Sequence, residues 1–357
     1  MMKEGMNHAP KGKPSPVCGP GEFVFAATAL DHGHINGQCN GLAEAGGELR
    51  WVHDPDPRKV AAFQKSFPAA RAARSLDEIF QDEEVRLVAA AAVPSLRGAL
   101  GCRVMEAGRD YFTDKTPFTT LAQLETARET AARTGKKYMV YYSERLHVEC
   151  AVLAGRLVAD GAIGRVIQTM GTGPHRLSAA SRPAWFFESE KYGGILCDIG
   201  SHQCEQFLHF TGAKDARLNF SAVANYGHPD HPELEDFGEA SFTADNGASG
   251  YFRCDWFTPD GLRTWGDGRT ILLGTEGFIE MRKYINLASA DAARDHLFLV
   301  DKKGEQHIPC AGKIGYPFFG QLILDCLNRT ENAMTQEHAF KAAELCLRAQ
   351  ESAVRLA

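Results

Sequence analysis

The chain lacks a long apolar run, a block of basic residues, a Cys-x-x-Cys pair and a Gly-x-Gly-x-x-Gly fingerprint. Each absence narrows what it does. The first 20 residues are rich in Lys, Pro and Gly and have no apolar segment of the kind a secretory signal or a membrane span requires; they read as a mobile tail. No Lys/Arg-rich run stands out, and 39 basic against 45 acidic residues leave a net charge of -6, so neither a nucleic-acid nor a membrane partner is expected. The ten cysteines are scattered without zinc-ligand spacing. No metal is therefore expected, and the thiols read as the reduced set of a cytoplasmic protein. The His228/His231 pair lies in a Pro-rich stretch and reads as a solvated turn. There is no internal repeat.

What is present is a chain of 357 residues with 44% apolar and 24% charged residues, enough for two domains. Phe23–Ala29, Leu49–His53, Val85–Val93, Tyr111–Thr113 and Tyr138–Tyr142 are short apolar runs separated by helical segments, one of them over 57–66. Strands alternating with helices predict βαβ units and a parallel, doubly wound sheet over residues 21–143. From Glu144 the texture changes. Leu146, Cys150, Leu153 and Leu157 make one amphipathic helix over about 145–160. Segments 165–171, 217–226, 237–245, 248–256, 269–273, 277–283 and 296–301 alternate as strands, with Asp245-Asn246-Gly247 as a hairpin turn. Two helices follow, one carrying Phe319, Leu322, Ile323, Cys326 and Leu327, the other capped by Thr335 and reaching about Arg355. The fold class is α/β: a Rossmann-type domain, then an α+β domain over 144–357 with a large open, mainly antiparallel sheet.

The connection after the first strand is where a dinucleotide fold carries its glycines. Counting back from the second strand places those positions at Ala29, Asp31 and His34, with Gly33 one place out of register. A carboxylate at Asp31 repels a pyrophosphate unless it turns away. The helix N-terminus is still an anion site, and His32 or His34 is placed to donate to a phosphate. Asp54 ends the second strand, where an acidic residue takes the ribose hydroxyls and favours NAD over NADP.

The densest chemistry lies in Tyr192-Gly193-Gly194-Ile195-Leu196-Cys197-Asp198-Ile199-Gly200-Ser201-His202. If Asp198 opens a helix, His202 at i+4 falls on the same face, an acid and a base for proton transfer. Tyr142, Glu144, Arg145, His175, Arg176, Arg182, Trp185 and Tyr192 lie near strand ends or just before this helix and are candidates to line a ligand pocket. Trp256 and Trp265 read as packing residues.

Three stretches together resemble the glucose–fructose oxidoreductase / inositol 2-dehydrogenase (Gfo/Idh/MocA) family. They are Asp114-Lys115-Thr116-Pro117, similar to that family's Glu-Lys-Pro with one inserted Thr; Gly193-Gly194 through Asp198 and His202; and Gly274-Thr275-Glu276-Gly277. The resemblance implies Lys115, Asp198 and His202 as catalytic residues. It implies an NAD(P) cofactor, contacted by Ala29, Asp31, His32, Gly33, His34, Ile35, Asp54, Pro94 and Lys115. It also implies a sugar, cyclitol or related polyol as substrate and a homodimer or homotetramer formed through the second sheet. An NAD-recycling glycoside hydrolase or lyase on the same scaffold, and a non-enzymatic ligand sensor, are the alternatives.

Overall fold

The computed structural model describes residues 5–289 and 294–356. They fold as two compact units, each with its own sheet. The first comprises Met6–Tyr141 and Pro317–Phe340. Its elements run β1 (Val24–Thr28), α1 (His34–Glu44), β2 (Glu48–His53), α2 (Pro57–Gln64), β3 (Arg71–Ala72), α3 (Leu76–Gln81), β4 (Val85–Ala90), α4 (Pro94–Glu106), β5 (Asp110–Asp114), α5 (Leu121–Thr134) and β6 (Tyr138–Tyr141). The strands lie in the order β3-β2-β1-β4-β5-β6, every neighbouring pair parallel. β1, β5 and β6 are buried at every residue, which is why β1 and β6 read as unbroken apolar or small-residue runs, while β5 carries a buried aspartate at each end. Strand order reverses between β1 and β4, and the crevice beyond the carboxyl ends there is where such sheets bind ligands.

Two features of this unit differ from the sequence reading. Pro317–Phe340, on the far side of a division at residue 143, belongs to this unit. Phe319 packs over Gly41 of α1 and against Phe112 and Tyr141. The Gln336 amide exchanges two 2.7 Å hydrogen bonds with the backbone of Tyr138, covering the open edge of β6 with a side chain. Second, the tail expected to be mobile is fastened at Gly12, Ser15 and Val17. Gly12 N donates to the Glu44 carboxylate at 2.9 Å, and the amides of Ser15 and Val17 donate to the carbonyls of Glu44 and Ala45. The tail thus satisfies the exposed carboxyl end of α1, and no apolar pattern in the sequence announces it.

The second unit comprises Tyr142–Tyr316 and Lys341–Ala357, with Gly5 assigned to it as well. It contains α6 (Ser143–Leu146), α7 (Glu149–Ala159), β7 (Val166–Pro174), α8 (Ser189–Tyr192), α9 (Ile195–Asp198), α10 (Gly200–Thr211), β8 (Ala216–Ala224), β9 (Phe237–Ala244), β10 (Ser249–Asp255), β11 (Arg269–Gly274), β12 (Phe278–Arg282), β13 (His296–Asp301) and β14 (Gly304–Pro309). α11 (Pro317–Asn328) lies in the first unit; α12 (Gln336–Glu351) enters the second at Lys341, and β15 (Val354–Arg355) ends the chain. The nine strands are ordered β14-β13-β12-β11-β7-β10-β9-β8-β15 and pair antiparallel except for β7 with β10 and β8 with β15. The predicted helix over 145–160 is two helices. Val148 is extended, and the Asp295 carboxylate takes the Glu149 amide at 3.0 Å, so α7 restarts there.

Burial alternates along β9 and β10, so one sheet face carries the core and the other is left half-open. α10 seats on the buried face. Its close approach is permitted by glycines of β7: a Cβ at Gly171 would lie 2.1 Å from Gln203, and one at Gly173 would lie 2.8 Å from Ile199. Among the described residues no helix is long and apolar enough to cross a membrane.

Candidate active site

In the first unit, residues 29–33 connect β1 to α1 at the point where strand order reverses. Ala29 takes φ 51°, the left-handed conformation that a glycine adopts more readily. α1 opens at His34, so Gly33 rather than Asp31 abuts the helix. A Cβ at Gly33 would lie 2.5 Å from Met6 O, so the fastened tail also demands glycine here. Asp31 is turned aside. One carboxylate oxygen lies 2.5 Å from Lys59 Nζ and the other accepts from Val93 N at 3.3 Å. Buried Asp54 accepts from the amides of Leu30 at 2.7 Å and Asp56 at 2.8 Å, which joins the end of β2 to the connection. Ile35 is buried in the first turn of α1, and Pro94 opens α4. These residues fit a dinucleotide. Each Asp54 oxygen keeps a lone pair for a ribose hydroxyl, and Lys59 neutralises the carboxylate that would repel a pyrophosphate.

Lys115 follows β5 and is 6% exposed. Its backbone is clamped by Arg97, itself buried, whose guanidinium donates to the carbonyls of Ala92 at 2.7 Å, of Lys115, and of Thr116 at 3.0 Å. The same guanidinium lies 3.3 Å from Asp114. Asp114 also holds His34 Nδ1 at 3.0 Å and His32 Nδ1 at 3.2 Å. Three potential ligand atoms of these two histidines and Asp114 lie within 4.8 Å of one another. The spacing is that of hydrogen bonds, however, and a cation here would have to compete with Arg97 for the same carboxylate. Burial pushes the Asp114 carboxyl up, but His34 and Arg97 more than offset it and hold it well below the usual range. Burial, and then the charge of His34, push His32 well below its ordinary value.

In the second unit, Gly193 and Gly194 both take left-handed φ, 87° and 86°, turning the chain between α8 and α9. The first amides of α9 are taken by side chains: Ile195 N by Glu235 at 2.9 Å and Leu196 N by Gln350 at 3.1 Å. The helix therefore opens one turn before the sequence reading placed it. Asp198 ends α9, Ile199 bridges in helical conformation, and His202 lies in the first turn of α10. Asp198 is half-buried and His202 is buried.

Behind His202 lies a buried polar cluster. Glu144 Oε2 accepts from Lys283 Nζ at 2.7 Å, Gln203 Nε2 at 3.1 Å and Gln206 Nε2 at 3.4 Å. Burial raises the Glu144 carboxyl, but Lys283, then His202 and His175, bring it down to about 2. His175 packs against the rings of Trp265 and Trp256, with centroids 4.5 and 5.4 Å away. Arg182 covers the faces of Phe186 and Trp256 at 4.5 and 4.8 Å.

A family model described as "Oxidoreductase family, NAD-binding Rossmann fold" matches residues 17–142, and one described as "GFO/IDH/MocA C-terminal domain" matches 152–280. The chain belongs to the GFO/IDH/MocA oxidoreductase family. A crystal structure of a candidate oxidoreductase from Erwinia carotovora atroseptica is 50% identical with TM-score 0.90, covering 94% of this chain and 100% of that one. A D-xylose dehydrogenase of Paenarthrobacter nicotinovorans is 30% identical over 152 residues, spanning 40% of this chain and 38% of that protein. A levoglucosan dehydrogenase solved with NADH and L-sorbose covers 93% of this chain and 96% of its own at 18% identity and TM-score 0.76, a likeness of fold.

Within this family member, the expected pocket residues divide. His175 and His202 both act electrostatically on one carboxylate, Glu144. Arg145 pairs with buried Glu205 at 2.5 Å, Arg176 donates to the carbonyls of Pro259 and Leu262 at 2.7 Å, and Tyr142 is fully buried. Trp185 is half-buried, 6.0 Å from Phe186. Arg97, Gln203, Gln206 and Lys283 escaped the sequence reading. Gln206 at i+4 from His202 was legible as a neighbour on one helix face; Lys283 follows a strand and carries no such signal.

Replacing Arg97 by Met is expected to lower stability by about 3 kcal/mol, because Asp114 then keeps a buried charge without its guanidinium. Asp114 and Glu144 both titrate below their unfolded values. Their contribution is therefore complete above roughly pH 5 and is withdrawn as pH falls below it. Urea unfolding from pH 7 to pH 3 checks both. A flat profile below about pH 5, or an Arg97→Met protein as stable as wild type, would count against this account.

Proposed function

We propose that the protein is an NAD-dependent oxidoreductase acting on a CH–OH group of a sugar, cyclitol or related polyol. The observation that carries this reading is Lys115. A buried lysine is delivered at the carboxyl end of a central parallel strand of the NAD-binding unit, with its backbone held by a dedicated arginine. A bound nicotinamide would supply the acceptor for the hydride of the carbinol carbon. The Lys115 ammonium hydrogen-bonds the reacting oxygen and stabilises its developing negative charge. His202 is the general base that accepts the hydroxyl proton. Asp198 holds a neighbouring hydroxyl, with His175 and Trp185 as pocket contacts. Tyr142, Arg145 and Arg176 support the pocket wall through the contacts described above.

Preference for NAD over NADP rests on Asp54, whose buried carboxylate at the end of β2 disfavours a 2′-phosphate. Ten free thiols suit a reducing, cytoplasmic setting. Self-association into a homodimer or homotetramer is supported by the half-open face of the second sheet. Met170 sits beside Ile271, and Leu273 beside Phe278, across paired strands, with exposures of 43, 37, 41 and 39%. A contiguous apolar patch of this kind marks an interaction surface.

Lys115→Ala and His202→Ala are each expected to lower NADH formation from a polyol panel at least about tenfold with melting temperature nearly unchanged. Full turnover in either variant removes that residue from the mechanism, and substrate consumption without net NADH points to the cofactor-recycling hydrolase. Asp54→Ala is expected to weaken NAD binding and narrow the preference over NADP in calorimetric titrations; unchanged affinities for both would refute the ribose assignment. Ile271→Lys combined with Leu273→Lys is expected to reduce the mass seen by sedimentation to that of one chain. An unchanged mass would place the self-association surface elsewhere.

A further inference from the structure

Glu144 opens α6 and is 2% exposed, and its partner Lys283 is 0% exposed. The carboxylate is lopsided. Oε2 carries three donors, whereas Oε1 is buried with no hydrogen-bond partner among the described residues. A buried oxygen without a donor is destabilising, so its retention needs a reason. Lys283, just after β12, touches the carboxylate, and the charged or titratable groups that act on it electrostatically besides are His202 on α10 and His175 after β7. Gln203 and Gln206 are its neutral neighbours on α10. Gln206 also ties the cluster to the helix backbone. The same Nε2 that reaches Glu144 donates to the His202 carbonyl at 2.9 Å, and its Oε1 accepts from Thr270 Oγ1 at 3.4 Å.

We propose that Glu144 and Lys283 are positioning residues for His202, a buried ion pair that keeps a permanent negative charge facing the imidazole and so stabilises the imidazolium formed when His202 takes the substrate proton. The inference rests on the reading of His202 as the base. In that step the substrate O–H bond breaks and an N–H bond forms on His202, while the C–H electron pair leaves as hydride to the nicotinamide of NAD⁺. Glu144 remains a carboxylate and Lys283 an ammonium throughout. A carboxylate alone in this position would protonate rather than stay charged, which is why the lysine is buried with it. An uncharged pair of the same size would pack as well and is often no less stable, so stability alone does not account for keeping the charges.

The test is an imidazole NMR titration of the full-length protein, with the His202 signal assigned by its loss in His202→Asn. Glu144→Gln is expected to lower the His202 pKa by about one unit. It should move the acid limb of kcat/KM the same way and reduce kcat while leaving KM within about twofold. Lys283→Met, which leaves the buried carboxylate to protonate, is expected to move the imidazole in the same direction. Glu144→Asp should restore part of the wild-type titration. A His202 signal that titrates in Glu144→Gln as it does in wild type overturns the proposal. Should Glu144→Gln fail to fold, an unmoved imidazole in Lys283→Met overturns it equally. Wild-type protein that turns over no polyol, yet shows the expected NMR shifts, would sink the oxidoreductase reading and leave the charge coupling supported.

Discussion

Asp114 is the carboxylate on which the nucleotide half is organised. It is fully buried at the end of β5, and a buried charge must be paired or be lost. Meeting that requirement draws His32 and His34 of the β1–α1 connection and Arg97 of α4 to one point. Arg97 then has donors left over, and they fix the carbonyls that carry Lys115. One electrostatic demand thus shapes both the unusual nucleotide connection and the segment that presents the proposed catalytic lysine. The missing glycines are explained by the same arrangement. Two histidines replace backbone freedom with side-chain anchoring, and Lys59 neutralises the aspartate that would otherwise oppose a phosphate.

The second unit solves a similar problem with different residues. Glu144 is buried against Lys283 under α10, and two glutamines donate to the same carboxylate oxygen as the lysine. Glycines on β7 let α10 approach the sheet closely enough for this cluster to form. Packing therefore comes first. Without side-chain-free positions at Gly171 and Gly173 the helix would stand off, and the carboxylate would face water instead of His202. In each unit a buried ion pair lies among the candidate site residues, Arg97 with Asp114 in the first and Lys283 with Glu144 in the second.

Much of this was legible in local sequence. Alternation of apolar runs with helical segments identified the parallel sheet, and period-two burial in 237–245 and 248–256 identified strands joined at Asp245-Asn246-Gly247. The acid–base spacing of Asp198 and His202 marked the candidate site. The reading went astray where a distant residue supplied the decisive group. Asp295 takes the Glu149 amide and divides a helix that the apolar stripe had suggested was continuous. Glu235 and Gln350 open α9 before Asp198. Glu44 fastens a tail whose composition suggested mobility.

By itself, then, the sequence determined the fold class, the order of the two halves and the residue types available for catalysis. These depend on periodicity and on spacing within one element, which are properties of near neighbours along the chain. Only the tertiary structure decided that Gly33 abuts α1, that Asp31 is neutralised, that Pro317–Phe340 belongs to the first unit, and that Lys283 lies against Glu144. Those outcomes depend on which charge is buried against which partner. Coulomb attraction and desolvation act through space, between residues as far apart as 144 and 283, and leave no mark on the local pattern of either.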